Sequence, residues 1–137
     1  MTADPRSRDL AHVGSVELFT ATPDETLTFF VDLMGMDEVG RRRESVYVHA
    51  WDDYERFTVK ITARDAAGVG RTYLRAAGPD ALRRRVAVLE SDGAPGEWVE
   101  DELGLGAIYL TADPDGHAVG LYWETERTSR HRTWSRR

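Results

Sequence analysis

Apolar positions in this chain recur with a period near two in some stretches and near 3.6 in others, and the two kinds of stretch follow one another in the same order twice. Residues 10–18, Leu-Ala-His-Val-Gly-Ser-Val-Glu-Leu, read as a strand with His12, Val16 and Leu18 on one face and Val13, Glu17 and Phe19 on the other. Thr22-Pro23-Asp24-Glu25 then opens a helix, with Thr22 as the N-cap, Pro23 at the first helical position and Glu25 completing a capping box. Leu27, Phe30, Val31 and Met34 fall at i, i+3, i+4 and i+7, a stripe expected to pack on a sheet, and Gly35 ends the helix. Three strands are predicted around 36–42, 45–51 and 56–62, with Asp52-Asp53 as the turn between the last two.

After a linker over 63–69 the order restarts. Residues 70–75 are predicted to form a strand, and Gly78-Pro79-Asp80 opens a second helix as Thr22-Pro23-Asp24 opened the first, 56 positions earlier. Leu82, Val86 and Leu89 form its apolar stripe, Arg83 and Arg84 fall on a solvated face, and Ser91-Asp92-Gly93 closes it. Strands over 97–100, 107–111 and 117–124 complete the second pass. The last follows Asp113-Pro114-Asp115-Gly116, a turn in which Pro114 presets φ, Gly116 supplies positive φ and the aspartates accept backbone N–H groups. The fold class is therefore α+β: two βαβββ modules, about 10–63 and 70–124, pairing into a cupped mixed sheet with the helices outside. A ligand would lie on the concave face.

At 137 residues the chain supports one such domain, 10–126, flanked by an N-terminal arm, 1–9, and a basic tail, 127–137. Without cysteine it has no disulfide framework, zinc–thiolate site or thiol nucleophile. No apolar run approaches the roughly 20 residues that span a bilayer, and 1–9 has no signal-peptide character, so the expected location is cytoplasmic. The net charge of −6 conceals an asymmetry: the tail holds five arginines and no acid, and the remainder has 13 basic and 24 acidic residues, a net of −11. An acidic body argues against a nucleic-acid footprint. The abrupt Arg/Ser/Thr composition of 128–137 fits a shifted or truncated reading frame.

Leu-Ala-His-Val near the start, Phe-Phe-Val-Asp-Leu-Met-Gly-Met in the first helix and Asp-Pro-Asp-Gly-His before the last strand, set on a βαβββ repeat, resemble the vicinal oxygen chelate superfamily. That superfamily contains glyoxalase I, the fosfomycin and bleomycin resistance proteins and the extradiol dioxygenases. Ser45-Val-Tyr-Val with Trp51-Asp-Asp-Tyr-Glu-Arg, Pro79-Asp-Ala-Leu-Arg-Arg-Arg-Val-Ala-Val-Leu-Glu and Gly120-Leu-Tyr-Trp-Glu-Thr-Glu are similar to the N-terminal domain of catechol 2,3-dioxygenase-type enzymes, over about 9–126. The resemblance implies that the Fe(II) site of such enzymes, two histidines and a glutamate, belongs to a C-terminal domain. By the family pattern the three ligand positions fall here on His12, Arg71 and Gly120, of which only His12 is a donor.

A facial triad of two histidines and one carboxylate is what non-haem Fe(II) chemistry requires. Arg71 is a permanent cation and Gly120 has no side chain, so no cofactor is expected in this chain. His49, His117 and Glu124 are the other candidates. His117 follows the turn, His49 reads as a surface or core-edge residue between Val48 and Trp51, and Glu124 lies four residues beyond Gly120, about 13 Å along the strand. Trp51 and Trp123 are expected in core packing, with a pocket lining as the alternative.

The resemblance implies an accessory domain, inactive alone, whose partners are a catalytic domain or further copies of itself. The alternative is a metal-free dimer of the bleomycin-resistance kind that sequesters a small aromatic or cationic ligand. A metalloenzyme of the glyoxalase or fosfomycin type, with ligands shared across a dimer, is opposed by Arg71 and Gly120.

Overall fold

The computed structural model describes residues 8–53, 55–100 and 102–124. The basic tail of 127–137 lies outside them. The chain divides into two compact units, one holding residues 15–70 and the other holding 8–14 with 71–124.

The eight strands are β1 (Leu10–Thr20), β2 (Asp37–Arg42), β3 (Ser45–His49), β4 (Val59–Ala63), β5 (Gly68–Ala76), β6 (Gly96–Val99), β7 (Ile108–Ala112) and β8 (Ala118–Tyr122). In the first unit the order is β2-β3-β4-β1, with β4 antiparallel to β3 and parallel to β1. In the second it is β6-β7-β8-β5, with β8 antiparallel to β7 and parallel to β5. Each module thus pairs its first strand with its last in parallel, and the expected α+β repeat of βαβββ units is what the structure shows.

The second helix, α2 (Pro79–Ser91), forms as its sequence predicts. Pro79 sits in the first turn, Gly78 contributes the carbonyl that accepts the Leu82 N–H at 3.0 Å, and Gly93 takes φ +79° past the end. Leu82 and Val86 are buried and Leu89 half-buried, packing on Ala76, Tyr109 and Leu121 of the sheet. Each such aliphatic side chain contributes on the order of 1.5–3 kcal/mol by leaving water.

The first helix departs from its prediction in three ways. Only α1 (Pro23–Thr28) is α-helical, and Phe29–Leu33 is a π-helical turn. The Thr22 side chain makes no capping hydrogen bond. Thr20 Oγ1 accepts the Thr22 N–H at 3.0 Å and bonds Thr26 Oγ1 at 2.7 Å, so the start is organised by the preceding strand's last residue instead of a capping box. The stripe is not buried either: Leu27, Phe30 and Val31 are half-buried and Met34 is exposed. The π turn adds a residue to the loop closed by each hydrogen bond, and that slip rotates Met34 off the face the 3.6 period assigns to it. Gly35, at φ +79°, closes the helix as expected.

Candidate functional site

In the unit of 8–14 and 71–124, strand register fixes which residues can meet. Asp113 Oδ1 accepts the N–H groups of Asp115 and His117 at 3.0 and 2.8 Å, and Gly116 has φ +89°, so the turn is built as its residues require. β8 then runs with Gly120 opposite Tyr73 and Leu110, and Leu121 opposite Leu74 and Tyr109. Leu74, Tyr109 and Leu121 belong to the core under α2. Alternation therefore turns Arg71, Tyr73, Ile108, Gly120 and Tyr122 to the opposite face.

Arg71 and Gly120, two of the three family ligand positions, are brought together on that face. A β-carbon at Gly120 would lie 3.2 Å from each of Arg71 Cδ, Ile108 Cγ2 and Tyr73 Cδ2. Any side chain there would require these neighbours to give by a few tenths of an ångström. Tyr73, itself buried, donates its hydroxyl to Glu102 Oε2 at 2.6 Å, which fixes the ring in place.

His12 lies on β1 and is exposed. It shares strand parity with Gly14, where a β-carbon would collide with the Tyr122 hydroxyl, so this side of β1 runs against the Tyr122 ring. The 56-residue offset that matches Pro23 to Pro79 matches Arg71 to Ser15, three positions beyond His12. The same offset matches Tyr73 to Glu17, and Lys60 is the register partner of Glu17 across β1 and β4 as Gly120 is of Tyr73 across β5 and β8. Lys60 Nζ lies 3.8 Å from Glu17 Oε2, so the corresponding point of the first module is taken by an ion pair. Thr62 Oγ1 donates to Glu17 Oε2 at 2.8 Å and bonds Ser45 Oγ at 2.7 Å, all three residues being buried. The alternation of β1, β3 and β4 carries this network, but no short motif announces it.

The remaining candidates are apart. His49 is not at a surface or core edge: it is fully buried, with Nδ1 3.0 Å from the Glu55 carbonyl. Glu124 is exposed beyond the end of β8, against Gly106. His117 is exposed, its Nδ1 2.8 Å from Asp113 Oδ2. Asp113, Asp115 and His117 offer donor atoms within 4.8 Å of one another, a grouping the sequence pattern did not single out. The hydrogen bond from the His117 side chain, with the backbone N–H groups, holds the Asp113 carboxyl below its ordinary range, and the turn accounts for the cluster. Trp51 is 60% exposed. Trp123 does line a cavity, with Trp98, Pro79 and Leu82, but its 200 Å³ falls short of the roughly 300–1,000 Å³ of ligand pockets.

A guanidinium, a tightly packed glycine and one exposed imidazole do not make the two-histidine, one-carboxylate set of the family's metal.

No family model matches the chain. Metapyrocatechase of Geobacillus stearothermophilus is 37% identical over 118 residues, covering 86% of this chain and 36% of that protein. A manganese-dependent 2,3-dihydroxybiphenyl 1,2-dioxygenase of Geobacillus genomosp. 3 is 26% identical over 121 residues, covering 87% of this chain and 38% of that protein. Homoprotocatechuate 2,3-dioxygenase of Brevibacterium fuscum superimposes with a TM-score of 0.82 at 19% identity, over 93% of this chain and 36% of that one. The chain thus spans little more than a third of the length of the relatives it matches. Among the described residues no helix is long and apolar enough to cross a membrane.

Proposed function

We propose that this chain, an N-terminal-type domain of the extradiol dioxygenase kind, is an accessory domain that holds no iron and opens no ring by itself. Its role is assembly: contact with a catalytic domain of the same family or with further copies. The reading rests on one observation above the others, the β-carbon position at Gly120 closed by Arg71, Tyr73 and Ile108 at 3.2 Å. As a glycine, position 120 supplies no carboxylate from β8, and Arg71 adds a permanent positive charge where a cation would sit. His12 remains the one family-pattern donor, and a single exposed imidazole does not hold Fe(II).

The test is iron stoichiometry after anaerobic Fe(II) loading and desalting, followed by catechol in air with ring-cleavage colour recorded. The expected result is no retained iron and no coloured product. Iron near one per chain with product would overturn the proposal and show that other residues build the triad.

A further inference from the structure

The face of the sheet that lies under α2 is filled unevenly. At one register pair, Tyr109 opposite Leu121, a ring and a leucine join Leu82 and Val86 of the helix in the core. Alternation turns Thr111 and Val119, the register pair nearer the turn, to the same side. Both are smaller than the residues they succeed. The difference leaves a cavity of 260 Å³ under the second half of the helix, with Leu10, Val88, Leu89, Ala112, Val119 and Leu121 as its apolar lining. Leu10 and Val88, 42 and 46% exposed, stand where it meets solvent.

Three polar side chains also border the cavity, Arg85, Thr111 and Asp113, and each is engaged elsewhere. Arg85 Nε stands 2.8 Å from Asp9 Oδ2, and Thr111 Oγ1 donates to the Pro95 carbonyl at 2.7 Å. The Asp113 carboxylate accepts the Asp115 and His117 N–H groups and meets the His117 ring. A ligand bearing a charge or a hydroxyl would leave water for groups that already have partners, and that transfer is costly. A hydrocarbon gives up no hydrogen bond and gains by leaving water. The volume is below the roughly 300–1,000 Å³ of pockets for drug-sized ligands and above the roughly 150 Å³ of an apolar cavity that takes benzene. We propose that this cavity binds a small neutral hydrocarbon of single-ring size. It lies on the face of the sheet opposite Arg71 and Gly120, and its occupancy is independent of the accessory role proposed above.

Methyl NMR of the full chain, labelled at leucine and valine, tests this with benzene as the probe. Benzene is expected to shift the Val88, Leu89, Val119 and Leu121 methyl resonances along saturable curves, because an aromatic ring in contact displaces them. Leu33, 74% exposed on the other unit, reports non-specific contact and is expected to stay in place. Benzoate and catechol, which add a carboxylate or two hydroxyls to the same ring, are expected to bind at least tenfold more weakly. Ala112→Leu fills the cavity and is expected to weaken benzene binding at least tenfold. Val88→Asp puts a charge into the lining from an exposed position of α2, is expected to act in the same direction, and carries the test alone if Ala112→Leu does not fold. Methyls that shift without saturating, or no more than those of Leu33, overturn the proposal. So does benzene binding that neither substitution weakens, and so does benzoate or catechol binding as tight as that of benzene.

Discussion

Gly120 shows how much a single residue can decide and how little of the reason is written in its letter. The family pattern marks it as a missing ligand, but only strand register reveals that Arg71, Tyr73 and Ile108 fill the space. Gly120→Glu must push at least one of these aside, and overpacking of this kind costs about 1–3 kcal/mol. The variant is expected to lose about 1–3 kcal/mol in urea denaturation and to retain no iron after loading. Wild-type stability with bound iron would show that the site reopens. His49 teaches the converse: its neighbours in sequence suggested an edge, yet it is fully buried, with Nδ1 against the carbonyl of buried Glu55 in the segment between β3 and β4. Which segment folds over a residue is a tertiary fact that no local pattern carries.

The two helices separate what periodicity can and cannot predict. α2 has one apolar row, Leu82, Val86 and Leu89, and its packing follows the pattern. In the first helix Phe29, Phe30, Val31, Leu33 and Met34 give apolar side chains on nearly every side, so a π turn can change which of them face outward without a local penalty that the sequence would reveal. The strands of that unit hold a different kind of hidden order. Glu17, Thr62 and Ser45 come from three strands and meet only when β1 and β3 flank β4 in the observed register. Thr62→Val keeps the shape and removes the hydroxyl that donates to Glu17, leaving a buried acceptor short of a partner at about 1–3 kcal/mol. Thermal or chemical denaturation should record that loss, whereas a neutral result would mean that the other contacts of Glu17, Lys60 among them, satisfy the carboxylate.

At the scale of the whole chain the repeat is the most legible feature, because Pro-Asp helix starts 56 residues apart and the paired strand patterns all agree. Asp9 is where that legibility ended, since a polar stretch before the first strand gave no sign of burial. It is 1% exposed, its carbonyl accepts the Ala77 N–H at 2.7 Å, and its carboxylate meets Arg84 at 2.7 Å and Arg85 at 2.8 Å. Arg84, expected on a solvated face, is therefore half of a clasp that ties the start of β1 to α2. The Arg84 hydrogen bond, reinforced by the charges of both arginines, holds the Asp9 carboxyl below its ordinary value of 3.8 despite burial. A carboxyl lowered by folding contributes stability that is present above its unfolded value and is lost as pH falls through the folded one. Asp9→Asn is accordingly expected to melt at a lower temperature than the wild type at pH 7. The gap should narrow steadily below about pH 4, the ordinary aspartate range. The other lowered carboxyls, Glu38, Glu44 and Asp113, titrate alike in both proteins and cancel in the comparison. A gap that stays constant from pH 7 to the acid limb would locate the effect of the substitution in packing, because only a charge that titrates can make the difference between the two proteins depend on pH.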